Sequence, residues 1–499
     1  MSTTYSLSRE EFESYAREYN LVPVYREVVA DMETPVSAYL KLGMGRRSFL
    51  LESVEGGETL GRYSFIGVDS FLDLRAKNGR VEITGELSRE YENCADPLSI
   101  VEELMSKYRA APVPELPPFF GGAVGYIGYE AVRYFERLPK TAPDDLGLPD
   151  VMLQFTDTLV AFDHLRHKVK IIVNARVSSG GISAYDQALA RIEAVIDKLR
   201  KPAPQYQLPD TDPGDIDASI VAANVSKEQF MESVDKAREY IFSGDILQVV
   251  LSQRFSIPLS ASAFNIYRVL RTINPSPYLA YLNFGDLALV ASSPEPLVRL
   301  TGNHAITRPI AGTRPRGANA EEDQLLEQEL LADEKERAEH VMLVDLGRND
   351  LGRVCVPGTV AIDKLMFVEK YSHVMHIVSQ VSGELRPDMN SFDLLRASFP
   401  AGTVSGAPKV RAMEIIDELE ANARGPYAGV FGYFSFNGNL DTGITIRTVV
   451  VKDKTAYVQA GAGIVADSDP EREYQETVNK AMPLLRAVGH SAPVKVEAG

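Results

Sequence analysis

Two pairs of glutamates have the spacing that a metal site built on helices needs. Glu336 and Glu339 lie three residues apart, and so do Glu473 and Glu476. Residues three apart share one face of a helix, so both carboxylates of a pair point the same way. If the two faces meet, their oxygens would form the environment that Mg²⁺ prefers. A single pair is more often a solvated acidic face, so this prediction depends on the two helices packing together.

Two glycine-containing segments could hold a small anionic substrate. The segment 309–317, PIAGTRPRG, follows a predicted strand and offers N–H groups and a hydroxyl at Gly312 and Thr313, beside two arginines. The run Gly-Ala-Gly at 461–463 follows another predicted strand. Glycine there lets backbone N–H groups approach a carboxylate closely. An ordinary turn is the alternative for each segment.

Two histidines lie three residues apart, at His373 and His376. This spacing could bind zinc, but no third ligand of the usual type is evident nearby. A single acid–base histidine is the better chemical interpretation, because the imidazole side chain titrates near neutral pH. A histidine with a purely structural role is the alternative.

The elements that must position these residues are predicted from local signals. A long helix over 320–346 would carry the first glutamate pair, and a helix beginning within 468–471 would carry the second. Asn-Gly at 437–438, between apolar runs at 430–436 and 442–451, predicts a β-hairpin. Because the predicted strands follow one another through hairpins, we expect an α+β fold with large antiparallel sheets.

Residues 201–224 predict a linker, because they contain four prolines and four aspartates. They divide the chain into an N-terminal region, 1–200, and a C-terminal region, 225–490. The second region should open with a helix, since Ser226–Gln229 has the spacing of a capping box and Gly244 suits the end of the helix.

Composition excludes several classes of protein. The chain has 499 residues, with 52 Lys and Arg against 69 Asp and Glu, and a net charge of −17. This acidic balance argues against nucleic acid or an anionic membrane as a partner. Neither a run of 18 apolar residues nor a signal-peptide core is present in the sequence. Two cysteines cannot form a disulfide framework, so we expect a cytoplasmic enzyme.

Several segments together resemble the large subunits of anthranilate synthases, within the chorismate-utilising enzyme family. The resemblance covers nearly the whole chain. Its marks, in chain order, are LLES at 50–53, NPSPY at 274–278, SPEP at 293–296, PIAGTRPRG at 309–317, LVDLGRNDL at 343–351, VMHIVS at 374–379, SGAPKVRAME at 405–414 and QAGAGIVADSDPEREYQETVNKA at 459–481. The resemblance implies two large antiparallel sheets packed together, with helices outside.

The resemblance also implies a reaction. Ammonia would add at C2 of chorismate as the C4 hydroxyl leaves, which gives aminodeoxyisochorismate. Elimination of pyruvate would then produce anthranilate, in the first step of tryptophan biosynthesis. A lyase of this kind would depend on Mg²⁺. The alternatives are an aminodeoxyisochorismate or aminodeoxychorismate synthase component, or an inactive homologue that only binds tryptophan.

Residue roles follow from the same resemblance. Glu339 and Glu476 would hold Mg²⁺, with Glu473 as a supporting ligand. Glu336 would protonate the departing C4 hydroxyl, and His376 would act in the elimination of pyruvate. The residues implied to contact chorismate are Gly312, Thr313, Tyr427, Arg447, Gly461, Ala462 and Gly463. Thr313 is also counted among the catalytic residues, because it would contact the C4 side of the ring.

Two positions separate this chain from related enzymes. Ala311 stands where aminodeoxychorismate synthases that use a covalent lysine carry that lysine, so ammonia must be the nucleophile. Gln248 stands where isochorismate and salicylate synthases use a lysine to activate water. Neither Cys94 nor Cys355 lies in a Gly-x-Cys-x-Gly elbow. The implied partner is therefore a separate glutamine amidotransferase subunit, in a heterotetramer of two large and two small subunits.

The resemblance finally implies feedback inhibition by L-tryptophan. The segments LLES and NPSPY match the tryptophan-binding segments of the family. They place Ser53, Pro277, Tyr278 and Leu279 in an allosteric site away from chorismate. Leu279 replaces a methionine of similar volume that is common in enteric members of the family, so the pocket should be preserved.

Overall fold

A computed structural model describes most of the chain. The described residues are 5–29, 31–42, 47–53, 61–67, 69–177, 182–204, 216–259, 261–371 and 374–489. His373 and residues 205–215 of the predicted linker lie outside these ranges.

Within the described residues, the first sheet contains twelve strands, paired antiparallel. Buried apolar residues fill its central strands, as in Leu287–Ser293. In spatial order the strands are Leu21–Val29, Lys168–Arg176, Thr158–Asp163, Tyr63–Gly67, Ser48–Glu52, Tyr278–Asn283, Leu287–Ser293, Thr448–Lys452, Thr455–Ile464, Gln248–Pro258 and Ala222–Ala223, with Gly406–Ala407 also on Gln248–Pro258.

The second sheet is antiparallel too, and the described residues give it twelve strands. Its strand Leu72–Lys77 alternates buried and half-buried positions, as expected where one face is packed more tightly. In spatial order the strands are Ile310–Pro315, Val374–Glu384, His304–Thr307, Pro296–Thr301, Leu440–Ile444, Val430–Ser435, Gly122–Ile127, Val151–Thr156, Leu72–Lys77, Arg80–Gly85 and Arg89–Tyr91, with Ala361–Lys370 also on Val374–Glu384.

The two sheets pack face to face through an aromatic core. Phe49 and Leu289 of the first sheet belong to one buried cluster with Val124 and Tyr433 of the second. The ring of Phe119 stacks on Tyr433 with centroids 4.3 Å apart. Burial of these faces supplies the main driving force that holds the sheets together.

Helices cover the outer faces of both sheets. Against the first sheet pack Arg9–Ala16, Pro35–Leu42, Ile182–Leu199, Ala263–Ile273 and Pro470–Gly489. Another buried cluster contains residues of both sheets, such as Val249 of the first and Val298 of the second. The helices that pack against it are Pro97–Ser106, Lys227–Phe242, Glu334–Gly352, Ser391–Ser398 and Lys409–Leu419. The remaining described helices are Ala320–Ala332 and the short 3₁₀ turns Tyr129–Tyr134, Ala218–Ile220 and Gly402–Val404. The predicted fold class, α+β with two packed antiparallel sheets and flanking helices, is confirmed.

The single long helix predicted over 320–346 is wrong. The structure has two helices, Ala320–Ala332 and Glu334–Gly352, which meet at Asp333. Asp333 is extended (φ −68°, ψ 110°), and its carboxylate accepts the N–H groups of Lys335 and Glu336. Asp333 therefore caps a new helix. The second helix carries the Glu336–Glu339 pair near its N-terminus.

The predicted hairpin is present, but its second arm is shorter than expected. Gly438 has φ +87° in the turn between Val430–Ser435 and Leu440–Ile444. The apolar run 442–451 does not continue as one strand. The chain instead leaves the second sheet and joins the first sheet at Thr448–Lys452, through Arg447 with φ +50°.

Both sheets contain strands from both sides of the predicted linker. In the first sheet Phe49 lies opposite Leu282, and in the second sheet Val124 lies opposite Tyr433. The boundary at 201–224 thus separates two stretches of sequence that share both sheets. Among the described helices, none is long and apolar enough to cross a membrane.

Candidate active site

One cavity of about 580 Å³ brings together most of the predicted site residues. They come from strands of both sheets, from two helices and from the connections between the sheets. The predicted residues that line this catalytic cavity are Gly312, Thr313, Glu336, Glu339, His376, Tyr427, Arg447, Gly461, Gly463, Glu473 and Glu476. Residues more than 160 positions apart in the sequence therefore share one site.

Ala462 is the exception among the predicted substrate contacts. Its side chain is fully buried in the core cluster beneath the cavity. Successive side chains of a strand point to opposite faces, so Gly461 and Gly463 face the cavity while Ala462 faces away. A Cβ on Gly461 would lie 2.7 Å from the Tyr427 hydroxyl, and one on Gly463 would lie 2.6 Å from Gln248 Nε2. Glycine at both positions permits this close approach.

A bulge in the strand Ile310–Pro315 shapes the wall beside Thr313. The register with Val374–Glu384 shifts between Ala311 and Thr313, and Gly312 adopts φ +65°. A Cβ on Gly312 would come within 3.1 Å of Glu336 Oε2, so glycine also brings the helix close. The two arginines that follow pair with Asp333 and Asp323 and do not line the cavity.

The imidazole of His376 is fixed by the same bulge. Its Nδ1 lies 3.1 Å from the Gly312 carbonyl oxygen and 3.0 Å from Thr313 Oγ1. Since a carbonyl only accepts, Nδ1 carries the proton and Nε2 is left as the basic nitrogen. Burial lowers the pKa of His376, and the Arg447 charge lowers it further, against the Gly312 hydrogen bond. The ring is therefore neutral at pH 7 and can accept a proton.

The four predicted acidic residues approach the cavity from two helices. Burial raises the pKa of Glu336, and the nearby Glu339 and Asp333 carboxylates add to this rise. Burial also raises the pKa of Glu473, with a further contribution from Glu476. Across the described ranges, no three His, Cys, Asp or Glu side chains form a metal cluster by themselves. Mg²⁺ commonly takes one or two carboxylates and completes its octahedron with water and substrate oxygens, so the donor set fits this ion.

Tyr427 and Arg447 form another part of the cavity wall. Arg447 donates from Nη1 to the Lys480 carbonyl at 2.7 Å, which orients its guanidinium. Burial lowers the pKa of Arg447 and raises the pKa of Tyr427 to about 12. Tyr427 is therefore a neutral donor beside a cation, an arrangement suited to a carboxylate.

Residues that lacked a predicted role also line the cavity, among them Glu295 and Lys480. Glu295 is buried, and burial raises its pKa to about 8. It lies where the chain passes from Leu287–Ser293 of the first sheet to Pro296–Thr301 of the second. The signal in the sequence was a single carboxylate between two prolines and two apolar runs. Lys480 is another such residue, and it donates to Gly461 O at 3.0 Å and Glu476 Oε1 at 2.6 Å.

Both positions that distinguish related enzymes face the cavity. Ala311 and Gln248 are lining residues. Gln248 Nε2 donates to Glu339 Oε1 at 3.1 Å. The buried Gln248 Oε1 has no hydrogen-bond partner in the part of the chain that the structure describes. An unsatisfied buried acceptor is costly, so this atom indicates a place where a ligand or water donates.

Comparison with known proteins identifies the family of the chain that forms this cavity. The family model for chorismate binding enzymes matches residues 46–486. The anthranilate synthase component 1 of Acetivibrio thermocellus is 52% identical over 497 residues, covering 97% of this chain and 99% of the relative. The chain belongs to the anthranilate synthase component 1 family of chorismate-binding enzymes. The corresponding protein of Pseudomonas aeruginosa is 49% identical and covers 97% of this chain and 98% of its own length.

A solved structure agrees with this family assignment. The crystal structure of anthranilate synthase component I from Streptococcus pneumoniae TIGR4 has a TM-score of 0.76 and 38% sequence identity. The match covers 92% of this chain and 99% of that one. The overall fold is therefore shared with this solved relative.

A second cavity holds the residues that the family resemblance assigned to tryptophan. This cavity, which we name the regulatory cavity after the role that the resemblance implies, has a volume of about 130 Å³, and Ser53, Pro277, Tyr278 and Leu279 line it. Its charged groups satisfy one another. The Tyr278 hydroxyl donates to Asp441 at 2.8 Å, and Arg299 Nε donates to the same carboxylate at 3.0 Å. Ser53 Oγ is buried without a partner among the described residues.

Proposed function

We propose that this chain is the synthase subunit that converts chorismate and ammonia to anthranilate and pyruvate, in the first step of tryptophan biosynthesis. One observation carries the proposal. Residues predicted for each part of this reaction line a single cavity in a chain of the anthranilate synthase component 1 family. Bases, acids, cationic groups and N–H donors are thus available to one substrate.

Chorismate is a dianion, and the cavity offers separate groups for its two carboxylates. Tyr427 and Arg447 would hold the enolpyruvyl carboxylate, because a neutral donor and a guanidinium suit that group. Backbone N–H groups at Gly461 and Gly463 would contact the ring carboxylate. Gly312 and Thr313 would face C4, on the strand that also fixes His376.

Glu339 and Glu476 would hold Mg²⁺, with Glu473 as a supporting ligand. When bound, the ion would polarise the ring carboxylate as charge develops in the conjugated ring. Their positions on two helices that line one cavity support this assignment. Chelation should abolish synthesis, and added Mg²⁺ should restore it.

Amination needs an acid that protonates the departing C4 hydroxyl. Glu336 is the acid that the resemblance implies, and the geometry adds Glu295 as a second candidate. Both carboxyl groups have raised pKa values, and that of Glu295 rises to about 8. Glu295 is therefore protonated at neutral pH and can donate. We propose Glu295 as the acid that acts with Glu336 in this step.

Elimination of pyruvate needs a base that removes the proton at C2. His376 is neutral, carries its proton on Nδ1 and presents Nε2 as the free basic nitrogen. These are the properties of a general base near neutral pH. We assign His376 to this second step.

Ammonia is the proposed nucleophile at C2. Ala311 has no nucleophilic atom, and Gln248 has no basic group that could activate water. The proposed source of ammonia is a glutamine amidotransferase subunit, in a heterotetramer of two large and two small subunits. The names of the relatives, component 1 of their enzyme, support a second component as partner.

A direct assay tests the proposal. The purified chain with chorismate, Mg²⁺ and ammonium at alkaline pH should form anthranilate, which its fluorescence reports. Glutamine should not replace ammonium until the amidotransferase subunit is added. Accumulation of the amino intermediate without anthranilate would instead identify an aminodeoxyisochorismate synthase. Consumption of no chorismate under any of these conditions would identify an inactive homologue.

We further propose that L-tryptophan binds the regulatory cavity and inhibits the reaction. The unpartnered Ser53 Oγ and the apolar Pro277 and Leu279 support an amphipathic ligand such as tryptophan. Inhibition requires tryptophan to bind an inactive arrangement more tightly than the active one. Anthranilate formation measured with and without tryptophan tests this directly.

A further inference from the structure

Behind the catalytic cavity lies a fully buried arginine to which no role has been given. The side chain of Arg424 is 1% exposed, yet it carries a permanent charge. Its guanidinium donates to Val404 O and Val250 O at 2.7 Å each. It also donates to both carboxylate oxygens of Glu420, at 2.9 and 2.6 Å. A planar fork with several fixed donors suits this set of four acceptors.

The partners of Arg424 are parts of the cavity wall. Val250 and Val404 both line the catalytic cavity, one from the strand Gln248–Pro258 and the other from the turn Gly402–Val404. Glu420 extends the network, because it accepts from Ser252 N and Ser252 Oγ at 2.8 Å each. Arg424 thus joins the strand, the turn and the end of the helix Lys409–Leu419.

The same guanidinium lies against Tyr427. It is 5.6 Å from the centre of the Tyr427 ring and 4.6 Å from that of Tyr129. The backbone between Arg424 and Tyr427 is anchored as well, since the N–H groups of Arg424 and Gly425 donate to the buried Glu130 carboxylate at 2.9 and 2.8 Å. The position of the Tyr427 ring therefore depends on a network that does not itself line the cavity.

A buried ion pair is a weak device for stability alone. Desolvation of two charges offsets much of their attraction, and apolar residues of similar volume often stabilise a fold equally well. The directed contacts of Arg424 fix position, which apolar packing does less strictly. This contrast points away from a purely stabilising role.

We infer that Arg424 is a positioning residue for chorismate binding, which holds Tyr427 and the Val250–Val404 wall in the arrangement that receives the substrate. This inference rests on the proposed function of the cavity. It assigns the placement of Tyr427 to a residue that touches neither chorismate nor the reacting atoms.

The test measures kcat and KM for chorismate with saturating ammonium and Mg²⁺. In Arg424→Lys, one ammonium cannot reach all four acceptors, so KM should rise about tenfold while kcat changes less than about threefold. In a Tyr427→Phe background the same substitution should raise KM by less than about threefold, because coupled residues are non-additive.

Arg254→Lys is the matched control. Arg254 lies on the same strand as Val250, is buried, pairs with Asp145 and lies 5.7 Å from the Tyr457 ring, but does not line the cavity. Its KM should stay at the wild-type value.

A second variant separates position from folding. Arg424→Met with Glu420→Met removes both charges and retains most of the side-chain volume. If this pair folds, as shown by its thermal transition, its KM should also rise about tenfold. Three results would overturn the inference. The first is an unchanged KM with a lower kcat in both variants, and the second is an increase in KM that adds fully to that of Tyr427→Phe. The third is unfolding of both variants. An inactive wild-type chain would refute the proposed function instead, and the control activity distinguishes that result.

Discussion

The catalytic and regulatory cavities differ in how far their charged residues are paired. In the regulatory cavity Arg299 and Asp441 pair with each other, and both contact the Tyr278 hydroxyl. In the catalytic cavity Glu476 pairs with Lys480, but burial and neighbouring carboxylates raise the pKa of Glu336 and of Glu473. The second arrangement is costly without a ligand, which is characteristic of sites that do chemistry.

Their positions in the fold differ as well. The regulatory cavity is lined by the inner strands Ser48–Glu52 and Tyr278–Asn283, where the two sheets face each other. The catalytic cavity receives Glu295 and Arg447 from two of the places where the chain crosses between sheets. These crossings touch, because Ile444 N donates to Glu295 O at 2.9 Å. The strands Pro296–Thr301 and Leu440–Ile444 lead from the regulatory cavity, through Arg299 and Asp441, to these crossings. The comparison predicts that substitutions in the catalytic cavity change the reaction itself, and that substitutions in the regulatory cavity change only the inhibition by tryptophan.

The largest expected effect is in the second half-reaction. His376→Met retains the length of the side chain but removes the base, so elimination should slow by about 10²–10⁴-fold while amination continues. Aminodeoxyisochorismate should then accumulate as chorismate is consumed, which chromatography of the reaction mixture would show.

His304→Met is a control for this variant, because His304 lies on a neighbouring strand of the same sheet and pairs with Glu384 outside the cavity. Its product should remain anthranilate. Near wild-type anthranilate production by His376→Met would show that this histidine is structural. Loss of chorismate consumption by His376→Met would show that His376 acts in substrate binding or in the first step instead.

The next effect is in amination and depends on pH. In the proposed reaction Glu295 donates as the neutral acid, and burial raises its pKa to about 8. The acid form is therefore present below pH 8 and is lost as the pH rises through that value. The rate of chorismate consumption, divided by the concentration of free NH₃, should fall above pH 8 in the wild type.

Glu295→Gln should consume chorismate about 10²-fold more slowly. It should also lose the fall in rate above pH 8, which is the alkaline limb of the pH profile. Glu336→Gln is the companion variant, and it should keep the limb near pH 8 if Glu295 is the donor. A limb that disappears in Glu336→Gln and persists in Glu295→Gln would return the acid role to Glu336 alone.

A smaller effect is expected in the regulatory cavity. Ser53→Tyr should fill the space beside Pro277 and Tyr278, so half-inhibition should need about tenfold more tryptophan, a coupling change of about 1.4 kcal/mol. Activity without tryptophan should stay within about twofold of wild type. Inhibition curves at fixed chorismate measure both quantities. A wild-type chain that ignores millimolar tryptophan would contradict the assignment of this cavity.

The smallest expected effect concerns the hydrogen bonds among Tyr278, Arg299 and Asp441 in the regulatory cavity. Tyr278→Phe removes one hydrogen bond to Asp441 but leaves the Arg299–Asp441 pair in place. The free energy of unfolding should fall by about 1 kcal/mol, the usual net value for such a bond. Denaturant titration measures it. A large loss of uninhibited activity would show that the two cavities are not as separate as the comparison states.

Local physical chemistry made part of this molecule predictable. The capping box at Ser226–Gln229 begins the helix Lys227–Phe242, and Gly244 follows its end with φ +83°. The helix Pro470–Gly489 starts where its capping signal predicts. These signals act over three or four residues, so they require no knowledge of the rest of the chain. The family motifs were also sufficient to predict two packed antiparallel sheets.

Other features depended on contacts between distant residues. The break at Asp333 had a local signal, since Asp333 and Glu336 have capping-box spacing, but continued helix propensity on both sides concealed it. The division of the run 442–451 was not predicted, because both of its halves form strands, Leu440–Ile444 in the second sheet and Thr448–Lys452 in the first.

Glutamate spacing predicts that each pair shares one helical face, and the family resemblance implies that both pairs serve one site. The tertiary structure shows how this happens, because the two faces line one cavity with His376, Tyr427 and Arg447. Only tertiary structure places Glu295 and Lys480 there, since their roles follow from burial and from partners far away in the chain. The physical reason is that a sequence determines local geometry through neighbouring residues, whereas a site at the crossing of two sheets is formed by their packing.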